Sequence, residues 1–220
     1  MRHLKVFALN GSTHEHGVTY HALQVVGEVL NQEGIEMEIM HLNGLDHYKS
    51  CMSCNACRKH DNLCIHNDTV NEVIVKMREC DGFMLGAPAH AVGMPGHMKI
   101  VMDKLQQATQ QQRGYTHKPV AAVAICRRSG ALTTLQQLNN YFATSNMIRV
   151  GSQDWTITYG LRPEDILQDK EGIQALQRLG KNMAWILKVL EATKESVPKP
   201  PFAGDRLRSN FAKWNFEWKR

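Results

Sequence analysis

Short apolar runs rich in strand formers alternate with segments of helical periodicity along most of this chain, and no other feature restricts the fold as much. Leu4 to Leu9 is such a run and stops at the turn residues Asn10-Gly11-Ser12-Thr13. From Val18 to Leu30 the apolar positions Val18, Ala22, Val25, Val26, Val29 and Leu30 recur at helical steps, with Asn31 and Gly34 placed to end the helix. Ile35 to Met40 reads as a second strand. Asp68 is placed to cap a helix over Thr69 to Arg78, and Gly82 to Gly86 forms a third strand running into Ala87-Pro88. A helix over Met98 to Gln107, a strand over Val120 to Cys126 and a helix over Leu132 to Phe142 follow. The alternating segment Met147 to Ile157 reads as strand five, and Glu171 to Leu190 as the last helix.

Parallel strands need long, right-handed crossovers, so this order predicts an α/β fold: a five-stranded parallel sheet with helices on both faces. The 220 residues, 43% of them hydrophobic, suffice for one sizeable core. We expect one domain over 1–195 with a cysteine-rich loop at 47–66. A tail over 196–220, opening with Val197-Pro198-Lys199-Pro200-Pro201, should pack on the surface or clasp a partner subunit.

The net charge of +5 owes much to Lys199, Arg206, Arg208, Lys213, Lys219 and Arg220 near the end, so it does not imply nucleic acid. The first apolar run is too short for a signal peptide and no later one reaches membrane-spanning length; the expected compartment is the cytoplasm. In a reducing compartment, Cys51, Cys54, Cys57 and Cys64 within fourteen residues read as metal or cluster ligands more readily than as disulfides.

Ligands of such sheets bind beyond the carboxyl ends of the strands. The loop Asn10 to Thr19 offers glycines, hydroxyls and amides at a helix N-terminus, a seat for phosphate. It lacks both a Gly-Lys-Ser/Thr ending and the G-x-G-x-x-G spacing, so a monophosphate fits better than a triphosphate or dinucleotide. The small and apolar residues from Ala87 to Gly96 would let the backbone approach a flat ring, and Arg127-Arg128-Ser129-Gly130 could meet the ring's polar edge.

Leu9-Asn10-Gly11-Ser12 with Thr19, Cys80-Asp81-Gly82 through Gly86-Ala87-Pro88, Gly96 with Lys99 and Asp103, and Arg127 with Ser129-Gly130 together resemble the flavodoxin-like NADPH-dependent FMN reductase family. With the four clustered cysteines and Arg208-Ser209-Asn210-Phe211, the chain is similar to that family's iron-sulfur flavoprotein branch. The resemblance implies a flavodoxin-like three-layer sandwich and a flavin-dependent oxidoreductase. It places Ser12, Thr13, His14, Gly17, Val18 and Thr19 about the FMN phosphate. Pro88, Ala89, His90, Ala91, Val92 and Met94 would lie along the isoalloxazine, with Arg127, Ser129 and Gly130 at its pyrimidine edge. Val18, His90 and Ser129 depart from the family's commoner Asn, Tyr and Gly. The cofactor carries the chemistry, so no catalytic side chain is expected. The branch also implies a homodimer or homotetramer with FMN near an interface. NAD(P)H or ferredoxin would be donor, with quinone or oxygen species among the acceptors.

The spacing C-x2-C-x2-C-x6-C sets three thiolates on one turn and a fourth nearby, as a 4Fe-4S cluster requires. Zinc, which usually takes two separated cysteine pairs, and an empty or redox-active thiol site are the alternatives. Those alternatives correspond to an NAD(P)H-dependent FMN or quinone reductase without a cluster and to a non-enzymatic zinc-loaded binding protein. Cys80 and Cys126 beside apolar strands read as small buried residues. His41, His47, His60, His66, His97 and His117 show no ligand-spaced pair and read as solvated or packing residues; Met98 and Met102 read as core or subunit contacts.

Overall fold

The four long strands are β1 (Leu4–Asn10), β2 (Ile35–His41), β3 (Gly82–Pro88) and β4 (Pro119–Cys126). β4 is buried along its whole length and β3 up to Ala87, as strands covered on both faces must be, while β2 at the sheet edge is only partly covered. The computed structural model describes residues 2–42, 49–66, 69–109 and 115–200. The Asp68 cap, His47 with the start of the cysteine segment, and the tail from 201 onward lie outside the described residues.

The strands described pair in parallel in the order β2-β1-β3-β4, with the short β5 (Ile148–Arg149) next to β4, the doubly wound arrangement whose switch point lies between β1 and β3. Helices α1 (Val18–Gln32) and α5 (Lys170–Thr193) pack on one face with Val6, Ala8, Met84 and Val123. Helices α2 (Thr69–Glu79), α3 (Gly96–Thr109) and α4 (Ala131–Thr144) cover the other with Phe7, Leu9, Phe83 and Leu85. Alternate residues of one strand thus feed opposite cores, the period-two geometry of a pleated strand. Each fully buried Phe or Leu contributes about 1.5–3 kcal/mol to these layers.

The fifth position in the sheet differs from the single strand expected over Met147 to Ile157. Two short strands fill it: β5 (Ile148–Arg149) beside the start of β4 and β6 (Ile157–Tyr159) beside its end. Gly151 to Asp154 between them are turn residues that leave the ladder. Ser152 Oγ donates to the Ala175 carbonyl of α5 (2.6 Å) and Asp154 accepts from the Trp155 amide (2.6 Å). Thr156 Oγ then donates to the Ala122 carbonyl (2.6 Å), returning the chain to β4.

Asp169 joins this edge to α5. Its carboxylate accepts from the Gly172 amide (3.0 Å) as N-cap and from the Tyr159 amide (2.7 Å) at the end of β6. Asp169→Ala is expected to lower unfolding free energy by about 1–2 kcal/mol, read as a lower denaturation midpoint at unchanged slope. An unchanged midpoint would show that water replaces the cap at no cost.

Candidate functional site

The loop over residues 11–17 leaves β1 beside β3, where the Gly11 amide donates to the Gly86 carbonyl (2.8 Å). Asn10, fully buried, shapes the turn with both ends of its side-chain amide. Oδ1 accepts from the Ser12 amide (3.1 Å) and Nδ2 donates to the Glu15 carbonyl (2.9 Å). Two histidines from other elements reach the same turn. Nε2 of His97, near the start of α3, donates to the Gly11 carbonyl (3.0 Å), and Nε2 of His41, at the end of β2, donates to the Ser12 carbonyl (2.9 Å). A carbonyl oxygen can only accept, which fixes a proton on each Nε2. Burial holds the His97 pKa below the ordinary imidazole value; the Gly11 carbonyl opposes this, and His90 and His41 reinforce it.

Past this pinned entry the turn is rich in donors. Ser12 is buried and its Oγ accepts from the His14 amide (3.0 Å), leaving the hydroxyl proton to donate onward. Gly17 enters α1 with extended backbone and no side-chain cap, and the first turn of α1 carries no acidic residue. Its first amides, which have no intrahelical acceptor, therefore present an uncancelled positive helix end. A Cβ on Gly17 would crowd His14 Cβ at 3.1 Å, so glycine permits the close turn. Thr13 and His14 are exposed, whereas the Val18 side chain is buried in the α1–α5 core and offers the site its amide alone. Thr19 is also buried, with its methyl directed at Gly86.

Pro88 ends β3, and the Ala89 amide donates to the Ile125 carbonyl of β4 (2.7 Å). His90 and Gly93 exchange both backbone hydrogen bonds (2.8 and 3.1 Å) around Ala91 at φ 54°. Gln137 Oε1 of α4 accepts from the Met94 amide (2.8 Å) and steadies the turn. His90, Ala91 and Val92 face solvent; Met94 is partly buried, and Met98 and Met102 belong to the core. In the loop after β4, Arg127, Arg128 and Ser129 are exposed and Gly130 adopts φ 91°. A Cβ there would lie 3.2 Å from Ala89 Cβ and 3.3 Å from the Ala91 carbonyl, so the two loops touch. Pro88 through Val92 and Gly130 thus gather at the carboxyl ends of β3 and β4, one strand from the Ser12 turn. Lys99 and Asp103 pair with each other (2.6 Å), and Tyr141 donates to Asp103 (2.7 Å), linking α3 to α4.

Cys51, Cys54, Cys57 and Cys64 line one cavity, closed by Met52, Ile65 and the C-terminal half of α3 at Lys104, Gln107 and Ala108. Ser53 and Asn55, on either side of Cys54, have φ of 52° and 58°, and Asp61 and Asn62 have φ of 46° and 54°. Left-handed non-glycine residues concentrated in one loop carry strain of order 1–3 kcal/mol each. Helices hold the loop in place. Asn71 of α2 accepts from the Cys64 amide (2.6 Å) and donates to the Cys64 carbonyl (2.8 Å), while Gln107 of α3 donates to Asn55 (2.8 Å). Burial pushes the Cys57 thiol pKa up, and the neighbouring Cys54 and Cys51 push the same way. The donor set and its common cavity fit a thiolate-held cluster. Among the described residues, however, no three Cys, His, Asp or Glu side chains converge closely enough to hold a metal ion. Cys80 and Cys126 are buried, with the Cys80 pKa pushed up to about 11 mainly by burial.

Sequence reasoning put His41 and His97 among packing residues; their contacts with the turn become visible only when β2 and α3 are set beside it. Asn71, Gln107 and Gln137 likewise carry no motif.

A parallel sheet in this order, with an uncapped helix start after β1 and two abutting loops after β3 and β4, defines an α/β protein of the flavodoxin type. A family model described as NADPH-dependent FMN reductase matches residues 4–161. An iron-sulfur flavoprotein of Methanocaldococcus jannaschii is 32% identical over 195 residues, covering 86% of this chain and 100% of that one. An iron-sulfur flavoprotein of Archaeoglobus fulgidus is 29% identical over 204 residues, covering 87% and 98%. The fold is shared with RosB, solved with bound 8-demethyl-8-formylriboflavin-5'-phosphate (TM-score 0.64, 14% identity, 98% of this chain and 96% of that one). It is also shared with a WrbA-like flavodoxin from Agrobacterium tumefaciens (TM-score 0.60, 10% identity, 86% and 99%). The chain belongs to the NADPH-dependent FMN reductase family, in its iron-sulfur flavoprotein branch, and is a flavin-dependent oxidoreductase. No helix among the described residues is long and apolar enough to cross a membrane.

Proposed function

We propose that this oxidoreductase passes electrons between a reduced donor and an acceptor through FMN held at the β1–α1 turn and a 4Fe-4S cluster held by Cys51, Cys54, Cys57 and Cys64. The observation that carries the flavin assignment is the turn itself: a fixed entry at residues 10–12 leading to an uncapped, acid-free start of α1. The Ser12 hydroxyl, the Thr13 amide and the first amides of α1 up to Thr19 would bind the phosphate, with His14 beside them. Ala89 through Val92 would flank the ring, with Met94 behind them and Arg127, Ser129 and Gly130 at its polar edge. Bound flavin would supply both two-electron and one-electron redox chemistry, which suits it to join a two-electron donor such as NAD(P)H to a one-electron centre. The residues around it would fix its orientation. In this reading the unit 1–195 carries both groups, and the tail 196–220 packs on the surface or on a second subunit of a homodimer or homotetramer.

One observation favours a second reading, a clusterless NAD(P)H-dependent FMN or quinone reductase: the cysteines do not converge to metal-binding separation. Anaerobic stopped-flow reduction separates the two. If the leading reading holds, reduced ferredoxin bleaches the flavin band of iron-loaded protein and fails on iron-free protein. Protein that takes up no iron and whose flavin NADPH bleaches rapidly would establish the clusterless reductase instead.

A further inference from the structure

At Gly11 and Ser12 every backbone polar group has a partner. The Gly11 amide is bonded to Gly86, the Ser12 amide to Asn10 Oδ1, the Gly11 carbonyl to His97 and the Ser12 carbonyl to His41. The last two partners come from separate elements, β2 and α3, so the turn is pinned between them. Such a pair of carbonyls matters because a turn can bind an anion only if its amides face inward, and a carbonyl dipole swung toward the anion would repel it. His41 is not simply filling space. Its Nδ1 is buried without a hydrogen-bond partner, a cost that is hard to justify unless the Nε2 contact is the purpose of the ring.

We propose that His41 and His97 are positioning residues that select a phosphorylated flavin: by holding the Ser12 and Gly11 carbonyls away from the turn, they keep its remaining amides and the Ser12 hydroxyl aimed at the phosphate. This rests on the FMN reading above. Neither ring needs to touch the ligand. The donor reaches each carbonyl through Nε2, and a glutamine side chain places its own amide nitrogen at about that reach, whereas leucine fills similar volume with no donor.

The test is fluorescence titration of the full-length chain, stripped of flavin, with FMN and with riboflavin as the phosphate-free probe. His97→Leu and His41→Leu are each expected to raise the Kd for FMN about tenfold, one hydrogen bond's worth of positioning, while the Kd for riboflavin stays within about twofold. His97→Gln and His41→Gln are expected to restore FMN affinity to within about threefold of wild type. Riboflavin binding reports the fold within each variant, and if His97→Leu does not fold, the His41 variants decide alone. Equal losses for both flavins, or no loss for either, would overturn the proposal and leave the FMN reading standing. Wild-type protein that binds riboflavin as tightly as FMN would instead overturn the reading of the turn itself, and this inference with it.

Discussion

Cys54→Ala is expected to yield protein with no bound iron and a full complement of flavin. Cys54 is the middle thiol of the three on the strained turn, and a cubane cluster held by four thiolates has no substitute ligand when three remain. Its exposed side chain contributes little to packing, so the variant and iron-free wild type should differ in stability by no more than about 0.5 kcal/mol. Flavin should stay because the two sites draw on different loops. Among the described residues α3 is common to both, offering His97 at one end to the β1–α1 turn and Gln107 and Ala108 at the other to the cysteine cavity. Iron and flavin analysis of the anaerobically purified variant checks both halves. Retained iron would remove Cys54 from the ligand set, and joint loss would show that the sites are coupled.

Ser12→Asp is expected to raise the Kd for FMN by more than about a hundredfold. The substituted carboxylate would accept the His14 amide bond in place of Oγ and so sit where the phosphate must lie. Two like charges about 4 Å apart at a partly screened site repel by about 4 kcal/mol. The same charge lies next to the start of α1, where it complements the helix dipole. The flavin-free variant should therefore be as stable as wild type or slightly more so. That opposite sign separates a phosphate effect from a damaged fold, and isothermal calorimetry beside thermal denaturation reads both. Unchanged FMN affinity would mean the phosphate lies elsewhere.

The strands and helices that set the stage were legible because burial on both faces of a parallel sheet leaves long apolar runs, as in Phe83 to Leu85 and Val120 to Cys126. Periodicity likewise exposes the five α-helices among the described residues. It failed at the last strand position, where Met147 to Ile157 alternates as a strand should but Gly151 to Asp154 lead the chain out to α5. Asp169, three residues before Gly172, is a local cap signal; what the sequence does not show is its second partner, the Tyr159 amide, ten residues back and across the sheet edge.

At the site, the turn after β1 was readable from its glycines and hydroxyls. Val18 carries two readings, the first apolar position of α1 and a neighbour of the phosphate, and its side chain takes the first, which leaves the site its amide. The left-handed conformations of Ser53 and Asn55 leave no trace in composition. Neither does the convergence of His41 and His97, from positions 29 and 86 residues away from their acceptors.

Most direct of all is the absorption spectrum of the protein purified without oxygen, taken with flavin, iron and zinc analysis of the same sample. The account predicts a flavin spectrum above a broad iron-sulfur band, with about one FMN and about four iron atoms per chain. Colourless protein that takes up no FMN on addition and contains zinc would contradict it.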